Sequence, residues 1–177
     1  MVLVHSIFMV LLVISSNMVI FEFSKASDIS DWKTVNDVVM GGRSSSKFYL
    51  NEEGHGVFEG TVSLENNGGF ASLRHRFNRK KIAGYKKVII YLKGDGKRYQ
   101  FRVKTNNEDQ QAYISYFKTT GEWQTVEMML SALEPTFRGR KLNMPNFPAD
   151  ELEEVGFMIG NKVNENFELV IDKIVLK

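Results

Sequence analysis

Short runs of alternating apolar and polar residues recur along this chain at roughly ten-residue spacing, the rhythm of an all-β sandwich or barrel. They occupy positions 48–50, 57–64, 70–77, 87–92, 99–104, 112–117, 123–130, 155–159 and 167–176, with a further run at 19–23. A period of two puts every second side chain on the same face of a strand. Tyr99, Phe101 and Val103 therefore share one face, and Arg98, Gln100, Arg102 and Lys104 the other. That predicts an antiparallel strand with one dry side and one wet side. Near the C-terminus Phe167, Leu169 and Ile171 alternate, then Ile174 and Leu176 continue on the opposite parity. A bulge at Asp172-Lys173 restores a single inward face.

Helical signals are few. Ser131-Ala132-Leu133-Glu134 has capping-box spacing, but Pro135 limits it to one turn. Positions 148–154 predict a second short helical turn. No linker, low-complexity tract or internal repeat follows position 19. The pattern predicts a single β-sandwich, with jelly-roll connectivity preferred to an immunoglobulin type.

The first residues read differently. Positions 2–14 are apolar except for His5 and Ser6, too short a run to span a bilayer but long enough for the core of a secretion signal. No Lys or Arg precedes it, and it lacks the Arg-rich amphipathic pattern of a mitochondrial transit peptide. Small residues at Ser15 and Ser16 give a cleavage point that spares the strand pattern at 19–23, so the mature chain is expected to begin between Ser16 and Val19. Ser24-Lys25-Ala26 is the competing cleavage point, and an uncleaved anchor the competing fate. The expected organisation is a signal at 1–17 and one domain at 18–177, with the protein exported.

Composition narrows the function. The 177 residues are 43% hydrophobic and 25% charged, which suits one soluble domain. The net charge of +2 gives no long-range attraction for nucleic acid. With no cysteine, disulfides, thiolate metal sites and cysteine nucleophiles are excluded. Neither G-x-S-x-G nor H-E-x-x-H occurs. The adjacent pairs Glu52-Glu53 and Glu153-Glu154 do not have the opposed placement of glycosidase carboxylates. The chain is read as a binding protein with no catalytic residue, cofactor or metal.

Four stretches could carry binding. Residues 31–45 hold Trp32, Asn36, Asp37, Met40 and the pair Gly41-Gly42, too rich in Asn, Gly and Ser for a strand. This is either a long loop with its Trp and Met packed beneath, or a ligand-facing one. Its single Asp and Asn fall short of the six or more oxygens that a calcium ion takes. Asn66-Asn67-Gly68-Gly69 is a turn sequence expected to close a hairpin, and Asp95-Gly96 specifies a second tight turn. Arg74-His75-Arg76-Phe77-Asn78-Arg79-Lys80-Lys81 is either a solvated strand end or an anion-holding patch. Residues 36–44 and 66–69 are expected to pack together, their polar groups satisfying backbone that no ladder reaches. Asn36, Asp37 and Asn66 are then structural, with Arg43, Arg74 and Arg138 as outward contacts. Trp32 and Trp123 are both expected to be buried. The candidate binding residues are thus Asn36, Asp37, Arg43, Asn66, Asn67, Arg74, Asp95 and Arg138.

The ordered series Trp32, Asn36-Asp37-x-x-Met40-Gly41-Gly42-x-Ser44, Phe58-x-Gly60 and 66–72 resembles the complex I intermediate-associated protein 30 family. Gly94-Asp95-Gly96-x-Arg98-Tyr99, Trp123, Pro135-x-Phe137-Arg138-Gly139-Arg140 and Phe167-x-Leu169-x-Ile171-Asp172-x-Ile174 continue the resemblance to the end of the chain. It implies a galactose-binding-like jelly roll and a role as assembly factor or chaperone for respiratory complex I, without catalytic residues. The expected partner is a protein intermediate, or a carbohydrate if the fold's sugar-binding use applies. A monomer with peripheral membrane association and no nucleic acid partner completes the expectation.

Overall fold

The computed structural model describes residues 17–177, so the expected signal and its cleavage point lie outside the described residues. Thirteen strands make up nearly all the regular structure: β1 (Met18–Glu22), β2 (Trp32–Asn36), β3 (Ser45–Leu50), β4 (Gly56–Val62), β5 (Ala71–Lys81), β6 (Lys87–Gly94), β7 (Arg98–Lys104), β8 (Ala112–Lys118), β9 (Trp123–Met129), β10 (Glu134–Phe137), β11 (Arg140–Lys141), β12 (Glu151–Ile159) and β13 (Glu165–Leu176). They form a six-stranded sheet in the order β3-β4-β13-β6-β9, with β1 also on β13, and a seven-stranded sheet in the order β11-β10-β8-β7-β12-β5-β2. Every pairing is antiparallel. This is the expected jelly-roll sandwich.

The dry sides of the two sheets meet. Phe58, Leu73, Ile90, Leu92, Tyr99, Phe101, Phe157, Leu169, Ile171 and Ile174 are all fully buried between them. Removing each such side chain from water contributes roughly 1.5–3 kcal/mol, which is why the period of two dictates the register. The expected bulge is present, with the β13–β6 register shifting between Ile171 and Lys173 so that Ile171 and Ile174 both face inward.

At one end Trp32, Phe21, Phe23 and Phe48 pack ring on ring, and His75 stacks on Trp32 at 4.6 Å. Trp32 is buried as expected. Trp123 is not: it is 46% exposed, because its register partner is Lys93 on the outer side of the six-stranded sheet. The position beside an apolar run was right, but its parity puts it opposite the buried Val126.

Other expectations need correcting. Residues 32–36 form a strand within the supposed loop, since Trp32 and Thr34 alternate with Lys33 and Val35 along β5. Residues 66–69 do not close a hairpin. They carry the chain from β4 in one sheet to β5 in the other, with Asn66 and Asn67 both at positive φ. Positions 151–154 are strand rather than helical turn, because Leu152 pairs with Lys80 and is buried. The turn near Ser131 is a 3-10 turn at Leu130–Ala132 with no side-chain cap.

Candidate functional site

Two polar regions stand out, and they are built in opposite ways. The first is the knot around Asp37. Its carboxylate is fully buried and accepts from the Ser44 amide at 2.9 Å, the Ser44 hydroxyl, the Gly69 amide at 2.6 Å and the Phe70 amide at 3.2 Å. Burial alone would raise its pKa; the Ser44 hydroxyl and the three amides outweigh that and hold it below the ordinary value of 3.8. Gly68 is needed here, since a Cβ would come 2.6 Å from Oδ2 of Asp37. Residues 36–44 and 66–69 therefore pack together as expected, with Asp37 as the shared acceptor.

The neighbouring candidates serve the same knot. Asn36 accepts from the Ser46 hydroxyl at 2.6 Å. Asn66 and Asn67 supply the left-handed turn, and Arg43 pairs on the surface with Glu65 at 2.7 Å. Asp95 is a second local hub, bonded to Lys97, to the Tyr99 hydroxyl at 2.9 Å and to the Glu168 amide at 3.1 Å. Arg138 sits at the exposed tip between β10 and β11, over the Phe137 ring at 5.2 Å. Of the candidate residues, only Arg74 lies on the second region.

That region is the outer face of the seven-stranded sheet. The register puts Lys33, Arg74, Gly156, Arg102 and Ile114 in one row across β2, β5, β12, β7 and β8. The row beside it runs Ser72, Met158, Gln100 and Tyr116, and the row on the other side runs Arg76, Glu154 and Lys104. Gly156 stands between Arg74 and Arg102 because a Cβ there would run into the Leu73 carbonyl. No side chain then separates the two cations.

The charges are unequal. Glu154, the carboxylate in these rows, is buried and held by Arg76 at 2.8 Å. Glu151 and Glu153, at the end of the same strand, are taken by Arg79. Arg74 has neither hydrogen bond nor ion pair among the described residues. Arg102 donates through Nη1 alone, to Gln100 Oε1 at 2.7 Å and Met158 Sδ at 3.4 Å. Burial, with Arg74 repelling it, pushes the Arg102 guanidinium down to about 10. Lys104 is also lowered, first by burial, and donates to the Asn107 and Asp109 carbonyls. The face expected to be wet is thus partly covered: Gln100 is buried, and it donates to the half-exposed Tyr116 hydroxyl at 3.1 Å.

Sequence reasoning missed Arg102, Gln100, Tyr116 and Gly156 as a group. The alternation in 98–104 was visible, but Arg74 meets Arg102 only through β12. Elsewhere, a depression of about 750 Å³ on the six-stranded sheet is lined by Lys47, Glu59, Asp95, Lys97 and Glu168. Its lysines are already paired, Lys47 with Glu59 and Lys97 with Asp95.

The same β-sandwich fold recurs in solved carbohydrate-binding modules and agarases. A family 11 carbohydrate-binding module from Clostridium thermocellum, solved with a mixed-linked tetrasaccharide, superposes with a TM-score of 0.69 at 16% identity, covering 90% of this chain and 94% of that one. An agarase shares the fold over 24% of its own length and 91% of this chain, with a TM-score of 0.61 at 10% identity. At such identities the likeness is one of fold alone. Residues 21–171 match the family described as Complex I intermediate-associated protein 30, and the chain belongs to it. The mouse (Mus musculus) protein named Complex I intermediate-associated protein 30, mitochondrial, is 24% identical over 88% of this chain and 55% of its own length. The chain thus spans about half the length of that curated relative. The relative is mitochondrial, which overturns the expectation of export. That expectation rested on the length of an apolar run with no preceding positive charge, and length alone does not direct a chain outward.

Proposed function

We propose that this chain is a non-catalytic binding domain that holds a protein partner during assembly of respiratory complex I, acting in the mitochondrion. The observation that carries the reading is the family match over residues 21–171, which takes in almost the whole sandwich, including β5, β7, β8 and β12. The geometry supports it: those four strands present a broad face on which Arg74 and Arg102 have no carboxylate partner among the described residues. The test is native gel electrophoresis of mitochondrial membranes carrying the tagged chain. The expected result is co-migration with partial assemblies of complex I, and accumulation of those assemblies when the chain is removed. A chain that migrates alone, with complex I maturing normally in its absence, would refute the proposal.

One observation favours a second reading, carbohydrate binding on the other sheet. Trp123 is exposed with His55 against it at 4.7 Å, and Tyr91 lies on the same face beneath Lys173. An exposed indole is a surface on which a sugar ring can stack. Affinity electrophoresis in mixed-linked β-glucan decides it: retardation that Trp123→Ala abolishes supports the sugar reading, and unretarded migration ends it.

A further inference from the structure

We infer that the Arg74–Gly156–Arg102 row is a carboxylate-binding subsite, which takes an acidic side chain from an extended segment of the protein partner. The inference rests on the protein-binding reading above and names the chemistry of what is held. Its ground is the kind of groups on this face and how each is already used.

Arg102 is fixed through Nη1 by Gln100 and Met158, so its Nε and Nη2 edge is uncommitted. That edge is the fork which matches a carboxylate with two parallel bonds. Arg74 lies across Gly156 in the same row, unengaged and half-buried. The Tyr116 hydroxyl oxygen accepts from Gln100, which leaves its proton to be donated outward. The Arg98 guanidinium carbon sits 4.6 Å from the centre of the Tyr116 ring and extends the positive surface along β7. The groups free on this face are therefore donors, and most of them are charged. The acceptor within reach, Glu154, is already bonded to Arg76. Two cations held close, with the nearby Glu154 bonded to Arg76 rather than to either of them, repel each other, and an anion between them relieves that repulsion while gaining charge-assisted bonds.

The chemistry selects an acidic peptide over other anions and over sugar. The aromatic ring on these rows, Tyr116, already has Arg98 on one face, so a run of stacked sugars or bases lacks platforms. The cations lie in rows across several strands, a layout that suits a chain of spaced carboxylates better than one compact anion.

The experiment uses a short labelled oligo-glutamate peptide as probe, with oligo-glutamine, mixed-linked β-glucan and inorganic phosphate as comparators. Fluorescence anisotropy should show saturable binding of oligo-glutamate that weakens as salt rises. Arg74→Gln and Arg102→Gln should each weaken it about tenfold, while Lys25→Gln on the β1–β2 loop leaves it unchanged. If Arg102→Gln does not fold, Arg74→Gln still decides, because Arg74 has no partner among the described residues to lose. Equal binding by both Gln variants, or by oligo-glutamine, overturns the inference. So does phosphate or glucan that displaces the peptide at equal concentration. Loss of peptide binding is also compared with co-migration on native gels. Variants that lose the peptide yet still co-migrate with complex I intermediates overturn the subsite and leave the assembly reading intact. Tight peptide binding without co-migration does the reverse.

Discussion

Asp37 and Arg102 are both charged groups drawn into the molecule beside a glycine, yet their surroundings are opposite. Asp37 collects four donors from two segments of chain and has no lone pair facing solvent. Arg102 keeps one edge of its guanidinium unused and faces another cation. A buried charge with every bond made is part of the scaffold, and removing it exposes the donors that surrounded it. A partly buried charge with bonds unmade lowers the stability of the free protein and is explained by what it binds. The contrast teaches that unusual polarity in a loop is weak evidence of a site. The better evidence is an imbalance between donors and acceptors that the chain itself leaves standing.

The largest effect that could break this contrast belongs to Asp37→Ala. It strands the amides of Ser44, Gly69 and Phe70 and should cost about 3 kcal/mol, while the folded fraction binds oligo-glutamate as before. Chemical denaturation gives the first quantity and titration the second; an unchanged midpoint would make Asp37 a surface group and collapse the comparison. The sign with pH follows from its lowered folded pKa. The unfolded chain binds the Asp37 proton more readily, so this stabilisation is complete above pH about 4. It is lost as pH falls through the folded value, and Asp37→Asn should flatten that acid limb.

Arg102→Met sharpens the other half of the contrast. Replacing an unneutralised guanidinium by a side chain of similar length should leave the protein as stable, or stabilise it by about 1 kcal/mol, and should weaken peptide binding about tenfold. A loss of stability comparable to that of Asp37→Ala would mean Arg102 is scaffold too.

Much of this was legible in the sequence and some of it could not have been. The strands around Phe58, Tyr99, Phe157 and Ile171 announce themselves because a half-buried strand must alternate, and the bulge at Asp172 follows from a switch of parity. The contact between residues 36–44 and 66–69 was readable from polarity and paired glycines. What a sequence does not carry is which strands become neighbours. Arg74 and Arg102 are far apart in the chain and meet only because Gly156 on β12 pairs with both. For the same reason 66–69 passed for a hairpin. Its composition asks for a tight turn, but only the topology says that the turn changes sheets.

Trp123 is where local pattern misled, and it supplies the smallest effect. An apolar run beside a Trp suggests burial, yet the burial of Val126 fixes the parity that leaves Trp123 on the outside, against His55. Exposed at 46%, it has half its surface in water already, and what it covers is the outer side of the six-stranded sheet rather than the core. Trp123→Ala should therefore cost less than about 1 kcal/mol, against roughly 3–5 kcal/mol for the buried Trp32→Ala. Thermal melts of the two variants side by side measure the difference. Because Trp123 lies on the other sheet from Arg74 and Arg102, its loss should leave oligo-glutamate binding intact. A Trp123→Ala variant that melts like the parent but loses the peptide would move the binding face from the seven-stranded sheet to the six-stranded one.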